Sequence, residues 1–93
     1  MIVEISAQAE ADIRAHVAWL KQHSPQAGRK ASLRILHTID LLADFPDLGS
    51  VSNGVIREKT IQFGRDGYVI VYRRQTDCIV IERVRHGRQD RSR

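Results

Sequence analysis

A chain of 93 residues that is 42% hydrophobic and 28% charged has the composition of one globular domain, which excludes a disordered or low-complexity protein. No stretch approaches the ~20 apolar residues of a membrane span, the start of the chain lacks the features of a secretory signal, and the single cysteine excludes an internal disulfide, so we expect a cytoplasmic protein that contacts no membrane. The net charge of +4 comes entirely from residues 47–93, where nearly every base is an arginine, a side chain suited to carboxylate and phosphate groups.

The first quarter of the chain predicts a strand followed by a helix. Ile2–Ile5 is β-prone, and Ser6 is a suitable N-cap for a helix from Ala7 to about Gln22. Hydrophobic residues recur in that helix at helical spacing, at Ala9, Ile13, Val17 and Leu20. Trp19 flanks this stripe, so we expect its side chain to be partly buried.

A second helix begins directly after the first. Ser24 is a suitable N-cap, and Pro25 fits the first helical position. The apolar face comprises Ala31, Ile35, Ile39 and Leu42, and is widened by Leu36 and Ala43. A basic stripe formed by Lys30, Arg34 and His37 lies roughly opposite. The helix is expected to end near Phe45, because a residue that precedes proline is pushed out of the helical region.

The second half of the chain predicts strands joined by turns. Residues 46–49 and 52–54 have turn chemistry, and Val55–Phe63 then reads as a strand. Asp66-Gly67 is a hairpin signal that leads into Tyr68–Arg73, and a turn at 75–77 leads into Cys78–Val84. We therefore predict a single α+β domain over residues 1–93, with two layers in the order β-α-α-β-β-β and a helix hairpin packed on an antiparallel sheet.

Motifs for bound metals and cofactors are missing from the sequence. The four histidines are scattered, no cysteine and histidine spacing is typical of a metal site, and no glycine-rich phosphate loop is present. We therefore expect no metal and no cofactor. Cys78 lies in an apolar strand and is interpreted as an inert core thiol. Tyr68 and Tyr72 share one face of their strand, where core packing is favoured over stacking on nucleic-acid bases.

The end of the last strand carries the strongest functional signal. The segment from Glu82 to Asp90 reads Glu-Arg-Val-Arg-His-Gly-Arg-Gln-Asp, and it places several cations and one titratable imidazole at the rim of a sheet. This arrangement suits contact with a polyanion or an acidic partner. The candidate target-binding residues are Arg57, Arg83, Arg85, His86 and Arg88.

A metal-independent ribonuclease is the alternative interpretation of the same residues. Cleavage of RNA through its own 2′-hydroxyl needs an acid, a base and cations on the phosphate, for which His86, Glu58 and Arg83 are the candidates. Side chains alternate along a regular strand, so Arg83 and His86 point to opposite faces. A combined site would therefore need a bulge or the end of the strand.

Five segments, taken in order, resemble the RelE/ParE superfamily of bacterial type II toxins over essentially the whole chain. They are Ala9–Ile13, Ile39–Gly49, Val55–Glu58, Tyr68–Arg73 and Arg83–Asp90. The resemblance implies a helix hairpin on an antiparallel sheet and a toxin that forms a hetero-oligomer with a cognate antitoxin. It also implies one of two targets, since RelE-like members cut mRNA on the ribosome and ParE-like members poison DNA gyrase.

The chain departs from the RelE-like catalytic pattern at several positions. Val69 stands where that branch commonly has arginine, and Thr60 and Gln62 stand where it often has lysine. The C-terminal tyrosine that some of its nucleases use is absent. The resemblance therefore favours the ParE-like branch and inhibition of DNA gyrase over cleavage of mRNA.

Overall fold

The computed structural model describes residues 1–88, which form two helices and five strands. In chain order these are β1 (Ile2–Ile5), α1 (Ala7–His23), α2 (Pro25–Asp44), β2 (Ser50–Asn53), β3 (Ile56–Ile61), β4 (Tyr68–Arg74) and β5 (Cys78–His86). The strands form one sheet in the order β1-β5-β4-β3-β2. The predicted α+β class and the helix hairpin on a sheet are confirmed.

Both helices begin at the predicted serine caps. The Ser6 hydroxyl accepts a hydrogen bond from the backbone N–H of Ala9 at 3.0 Å, and the Ser24 hydroxyl accepts one from Ala27 at 3.2 Å. Each bond satisfies a donor that the first turn of a helix leaves unpaired. Ser24 is also the C-cap of α1, so it is the only residue between the two helices. The helices therefore form a tight hairpin.

The sheet differs from the predicted one in two respects. β1 pairs with β5 in parallel, from Ile2 opposite Cys78 to Ile5 opposite Ile81, so the sheet is mixed. A short strand, β2, lies in a region expected to contain only turns, and it pairs with the first half of β3. All four β2 residues are exposed, so no pattern of buried side chains marks this edge strand in the sequence.

The core lies between the helix hairpin and the sheet. The predicted α2 face is buried, with Ile35 and Leu42 fully enclosed. β4 is the central strand and its first five residues are all buried, as is typical of a strand with neighbours on both sides and side chains covering both faces. No helix within residues 1–88 is long and apolar enough to cross a membrane.

Three side chains were misplaced by the sequence pattern. Trp19, expected to be partly buried beside the α1 stripe, is 60% exposed. Leu36, assigned to the apolar face of α2, is 46% exposed. Cys78 begins β5 and is half-buried at the edge of the core, where its thiol lies 3.2 Å from the side-chain oxygen of Gln75. In each case the residue lies beside the buried stripe or at the end of an element, where spacing alone does not decide burial.

Tyr72 fixes the loop that joins α2 to β2. Its side chain is fully buried, and its hydroxyl donates to the carbonyl of Pro46 at 2.8 Å and accepts from the N–H of Gly49 at 2.9 Å. A Cβ atom at Gly49 would lie 2.7 Å from the Tyr72 ring, so this close approach requires glycine. The interpretation of Tyr72 as a core residue is confirmed.

Truncation of the α2 core face tests this packing. We expect Ile35→Ala or Ile39→Ala to lower the free energy of unfolding by about 2–5 kcal/mol, because each change removes buried methyl groups and leaves a cavity. Leu36→Ala, on the exposed side of the same helix, is the matched control and should change it by less than about 0.5 kcal/mol. Urea unfolding followed by circular dichroism measures the three variants, and equal losses in all of them would contradict the assigned core.

Candidate functional site

Within residues 1–88, no strand covers the outer edge of the last part of β5. β1 pairs with β5 only as far as Ile81. Beyond this point, residues at the start of α1 form hydrogen bonds with the edge of β5. The backbone N–H of Ser6 donates to the carbonyl of Ile81 at 3.0 Å, and the Ser6 hydroxyl donates to the carbonyl of Glu82, also at 3.0 Å. The N-cap residue of α1 thus continues the strand pairing by two further bonds.

Two side chains of α1 then bind both backbone groups of Val84. The carboxylate of Asp12 accepts from its N–H at 2.9 Å, and Nε2 of His16 lies 2.7 Å from its carbonyl oxygen. Since a carbonyl only accepts, that ring nitrogen carries the proton. Asp12 and His16 are four residues apart and so lie one above the other on one helix face. This spacing is what lets one helix satisfy both polar groups of a strand residue.

Asp12 is nevertheless a buried carboxylate, and Arg83 neutralises it. Two bonds join them, from Nε at 2.8 Å and from the terminal guanidinium nitrogen at 3.2 Å. Burial by itself would raise the pKa of Asp12, but hydrogen bonds from Arg83, the Val84 N–H and Gln8 outweigh it and hold the pKa below its usual value. The carboxylate therefore stays charged at neutral pH.

A bulge in β5 decides which face each residue of the strand end occupies. Ile81 pairs with Tyr72 and Arg83 pairs with the adjacent residue Val71, so Glu82 is the extra residue. Beyond it Val84 is buried beneath the helices, whereas Arg83 and Arg85 pair with residues of the other face of β4. Arg83 and His86 therefore lie on opposite faces of the sheet. The Arg83 guanidinium extends past the edge of β5 to bind Asp12 of α1.

An open cleft of about 770 Å³ lies between α1 and the ends of β4 and β5. Its lining is mostly apolar and includes Ala15, His16, Trp19, Leu20, Asp66, Tyr68, His86 and Arg88. The ring of Tyr68 lies 5.0 Å from that of His16 and 5.6 Å from that of His86, centroid to centroid. Burial raises the pKa of the Tyr68 phenol, so the ring is a neutral wall of the cleft at physiological pH.

A hydrogen bond from the chain that follows it orients the His86 ring. Its Nδ1 lies 3.1 Å from the backbone N–H of Arg88, which donates to it. Nδ1 is therefore an acceptor in this arrangement, and the proton of the neutral ring lies on Nε2. The Arg88 guanidinium in turn lies 3.5 Å from the carboxylate of Asp66, whose side chain is only 6% exposed.

The glycine that follows His86 has a packing role. Its N–H donates to the carbonyl of Gly67 at 2.9 Å, and a Cβ atom at Gly87 would collide with the carbonyl of Asp66. The turn between β3 and β4 thus lies directly against the end of β5. The His-Gly pair, chosen from the sequence as a functional signal, is in part a requirement of this contact.

The five candidate target-binding residues do not form one cluster. His86 and Arg88 meet at the cleft, and Arg85 lies beside Val69 on the other face of the sheet. Arg57 pairs with Tyr72, four residues along β4 from the partner of His86, a separation of about 13 Å. It donates to the carbonyls of Asp47 and Gly49, at 3.2 and 2.7 Å. Gln89 and Asp90, which end the C-terminal motif, lie outside the described residues.

The alternative catalytic residues are also separated. Glu58 pairs with Val71, which pairs with Arg83, whereas His86 lies three residue pairs further along, on the opposite face. Within residues 1–88 no group of three or more His, Cys, Asp or Glu side chains is placed to hold a metal ion. The acid, base and phosphate-binding cation named from the sequence therefore do not surround one point.

The polar residues that build this site have a signal in the sequence, although it was missed. Asp12 and His16 fall within the apolar stripe of α1, between Ala9, Ile13 and Leu20, where a hydrophobic side chain would be expected. A charged residue on the buried face of a helix needs a partner elsewhere in the fold. Which strand supplies that partner cannot be inferred from spacing alone.

A helix hairpin on a mixed five-stranded sheet is also the fold of a solved toxin–antitoxin structure. The match is to a chain of "Chromosomal ParDE TA system from P. aeruginosa", with a TM-score of 0.73, 19% sequence identity, and coverage of 92% of this chain and 95% of that chain. At this level of identity the likeness establishes the fold.

The sequence match identifies the family, which the fold alone does not. Residues 3–91 match the model of the ParE toxin of type II toxin–antitoxin system, parDE, so the chain belongs to this family, and the resemblance to the RelE/ParE superfamily is confirmed. Toxin RelE3 of Caulobacter vibrioides is 36% identical over 89 residues, which span 96% of this chain and 97% of the relative. Toxin RelE1 of the same organism is 29% identical over 89 residues, which span 96% of each.

The Asp12 network predicts a stability that depends on pH. We expect Asp12→Asn to lower the free energy of unfolding by about 1–3 kcal/mol near neutral pH, because the bonds to Arg83 and Val84 lose their charge assistance. The folded pKa of Asp12 is lowered, so its contribution is complete above the ordinary carboxyl pKa of about 3.9 and is lost as the pH falls through the folded value.

Urea unfolding at a series of pH values from about 7 to about 3 measures this dependence. The difference in free energy of unfolding between the parent protein and Asp12→Asn, called the gap below, should shrink toward the acidic end of the range. Glu10→Gln, which changes an exposed carboxylate in the first turn of the same helix, is the control and should show a clearly smaller gap, because only the helix dipole stabilises that charge. A gap that widens on acidification would contradict the assigned role of Asp12.

Proposed function

We propose that this toxin arrests growth by binding DNA gyrase without covalent chemistry, and that a cognate antitoxin neutralises it in the cytoplasm. Membership of a family named for the parDE system supports an antitoxin partner. The observation that carries the non-enzymatic part is the separation of His86, Glu58 and Arg83. Hydrolysis of RNA requires an acid, a base and a cation within reach of one phosphate, whereas a binding surface can use cations that lie several residues apart.

The target contact in this proposal is the end of β5 and the cleft beside it. His86 and Arg88 supply donors in the cleft, and Arg85 supplies donors from the opposite face of the same strand end. Trp19 supplies an aromatic side chain that is 60% exposed. Arginine and tryptophan are the residue types that most often dominate protein interfaces. Arg83 acts through Asp12 as a positioning residue, and Arg57 acts on the loop at 46–49, so both support the surface from within the fold.

A second candidate function is ribosome-dependent cleavage of mRNA. The relatives from Caulobacter vibrioides carry the name RelE, and the rings of His16 and His86 lie 6.4 Å apart in the cleft. Two imidazoles can act as acid and base in such a reaction. This candidate places catalysis in the cleft between α1 and β5 and not at the Arg83, His86 and Glu58 group named from the sequence.

Assays with purified components distinguish the two targets. We expect the toxin to inhibit DNA supercoiling by gyrase and to leave mRNA intact in a reconstituted translation reaction. Addition of the antitoxin encoded beside it should restore supercoiling. Cutting of mRNA in the ribosomal A site, with gyrase unaffected, would contradict the proposal and favour the nuclease.

A substitution series tests the target contact inside cells. Arg85→Ala combined with Arg88→Ala should relieve growth arrest strongly, because the end of β5 then loses a cation from each face of the sheet, and His86→Ala should relieve it only partly. Arg65→Ala, an exposed arginine of the turn between β3 and β4, is the control and should remain fully toxic.

Retained binding of the antitoxin shows that each variant is folded. The decisive comparison is between the imidazole and the arginines. Loss of all toxicity in a folded His86→Ala protein, with only mild effects of the arginine changes, would indicate acid–base catalysis and overturn the binding model.

A further inference from the structure

The face of α2 that points away from the core carries two large apolar side chains among its charged residues. Leu33 is 69% exposed and Leu36 is 46% exposed, although the helix has already buried a full apolar face against the sheet. Arg29 lies one turn before this pair and Asp40 one turn after it. We call these four residues, Arg29, Leu33, Leu36 and Asp40, the outer stripe of α2.

The spacing of the outer stripe is that of a coiled-coil seam. Successive members are four, three and four residues apart, which keeps them in line along about 16 Å of helix. Within residues 1–88 neither Arg29 nor Asp40 has a side-chain hydrogen bond or an ion pair, and both are exposed. The stripe therefore presents an apolar centre flanked by two unpaired and opposite charges.

The stripe is complementary to itself when it is turned end over end. Its centre lies between residues 34 and 35, so an antiparallel copy places Leu33 opposite Leu36 and Arg29 opposite Asp40, twice over by symmetry. The whole helix has the same polarity, with Lys30 also in its first half and Asp44 as its last residue. A parallel copy would oppose like charges, so only the antiparallel arrangement gains from them.

We propose that the outer stripe of α2 binds a second copy of this chain, forming a symmetric antiparallel helix pair. Arg29 and Asp40 each interact unfavourably with the dipole of their own helix and favourably with the dipole of the partner helix. Arg29 lies toward the positive end of its own helix dipole and Asp40 toward the negative end, and the antiparallel partner reverses both relations. Three turns of helix bury less than the roughly 1,200 Å² of a standard stable interface, so the dimer forms and dissociates with concentration.

Charge reversal provides a sharp test by sedimentation velocity, over micromolar to millimolar concentrations of the purified chain. Arg29→Glu and Asp40→Arg should each weaken self-association about tenfold, because either change makes both symmetric pairs repulsive. The double variant should recover the parent behaviour. An equimolar mixture of the two single variants should also associate, because each then meets its complement.

Two further variants keep the test decisive. Leu33→Glu should abolish the dimer while leaving the helical circular dichroism unchanged, since the side chain is exposed. Arg65→Glu makes the same change of charge at an exposed position away from α2 and should leave association unchanged. A protein that stays monomeric at millimolar concentration would overturn the proposal, as would a double variant that fails to recover. If Leu33→Glu weakens antitoxin binding and leaves self-association as it was, the stripe belongs to the antitoxin and the proposal is wrong.

Discussion

The hydrogen bonds between α1 and the uncovered edge of β5 hold the two layers of this protein in one arrangement. β1 is too short to pair with the whole of β5, and the polar backbone of the remaining residues would otherwise be left against a helix. The Asp12 carboxylate and the His16 ring take the place of a neighbouring strand at Val84. A carboxylate in such a place is tolerated because Arg83 and a backbone N–H offset its desolvation.

The same bonds define the cleft. His16 contributes one nitrogen to the strand and its ring to the wall beside Tyr68, so its position follows from structural bonding. On the other side, Gly87 lies against the turn between β3 and β4 and the backbone of Arg88 orients His86. Side chains held in this way lose little further entropy when a partner binds. The cleft is therefore a preorganised surface, although its residues come from three separate parts of the chain.

The sequence predicted those elements whose residues satisfy a local rule. Both helices begin at the expected serine, and the buried residues of α2 follow its period, because capping and periodicity act within a few residues. The bulge at Glu82, the parallel pairing of β1 and the edge strand β2 depend on contacts between distant segments. For the site, the role of the β5 rim stays a prediction, and the partner of Arg83 could not be identified from the sequence, because Asp12 precedes it by 71 residues.

Arginine content alone overstates the charge that this protein offers to a partner. Among the described residues Arg57 and Arg74 bind Asp47, Arg73 binds Glu82, Arg83 binds Asp12 and Arg88 lies beside Asp66. Such pairs cancel at short range, so they contribute more to fixing loops and strand ends than to attracting an anion. The net charge of +4 still acts at longer range and favours approach of an acidic partner. Specific recognition then depends on which guanidinium groups a partner can bind, either by displacing the present carboxylate or by sharing it. As a contact for a partner, this favours the end of β5 over the arginines that bind the loop at 46–49.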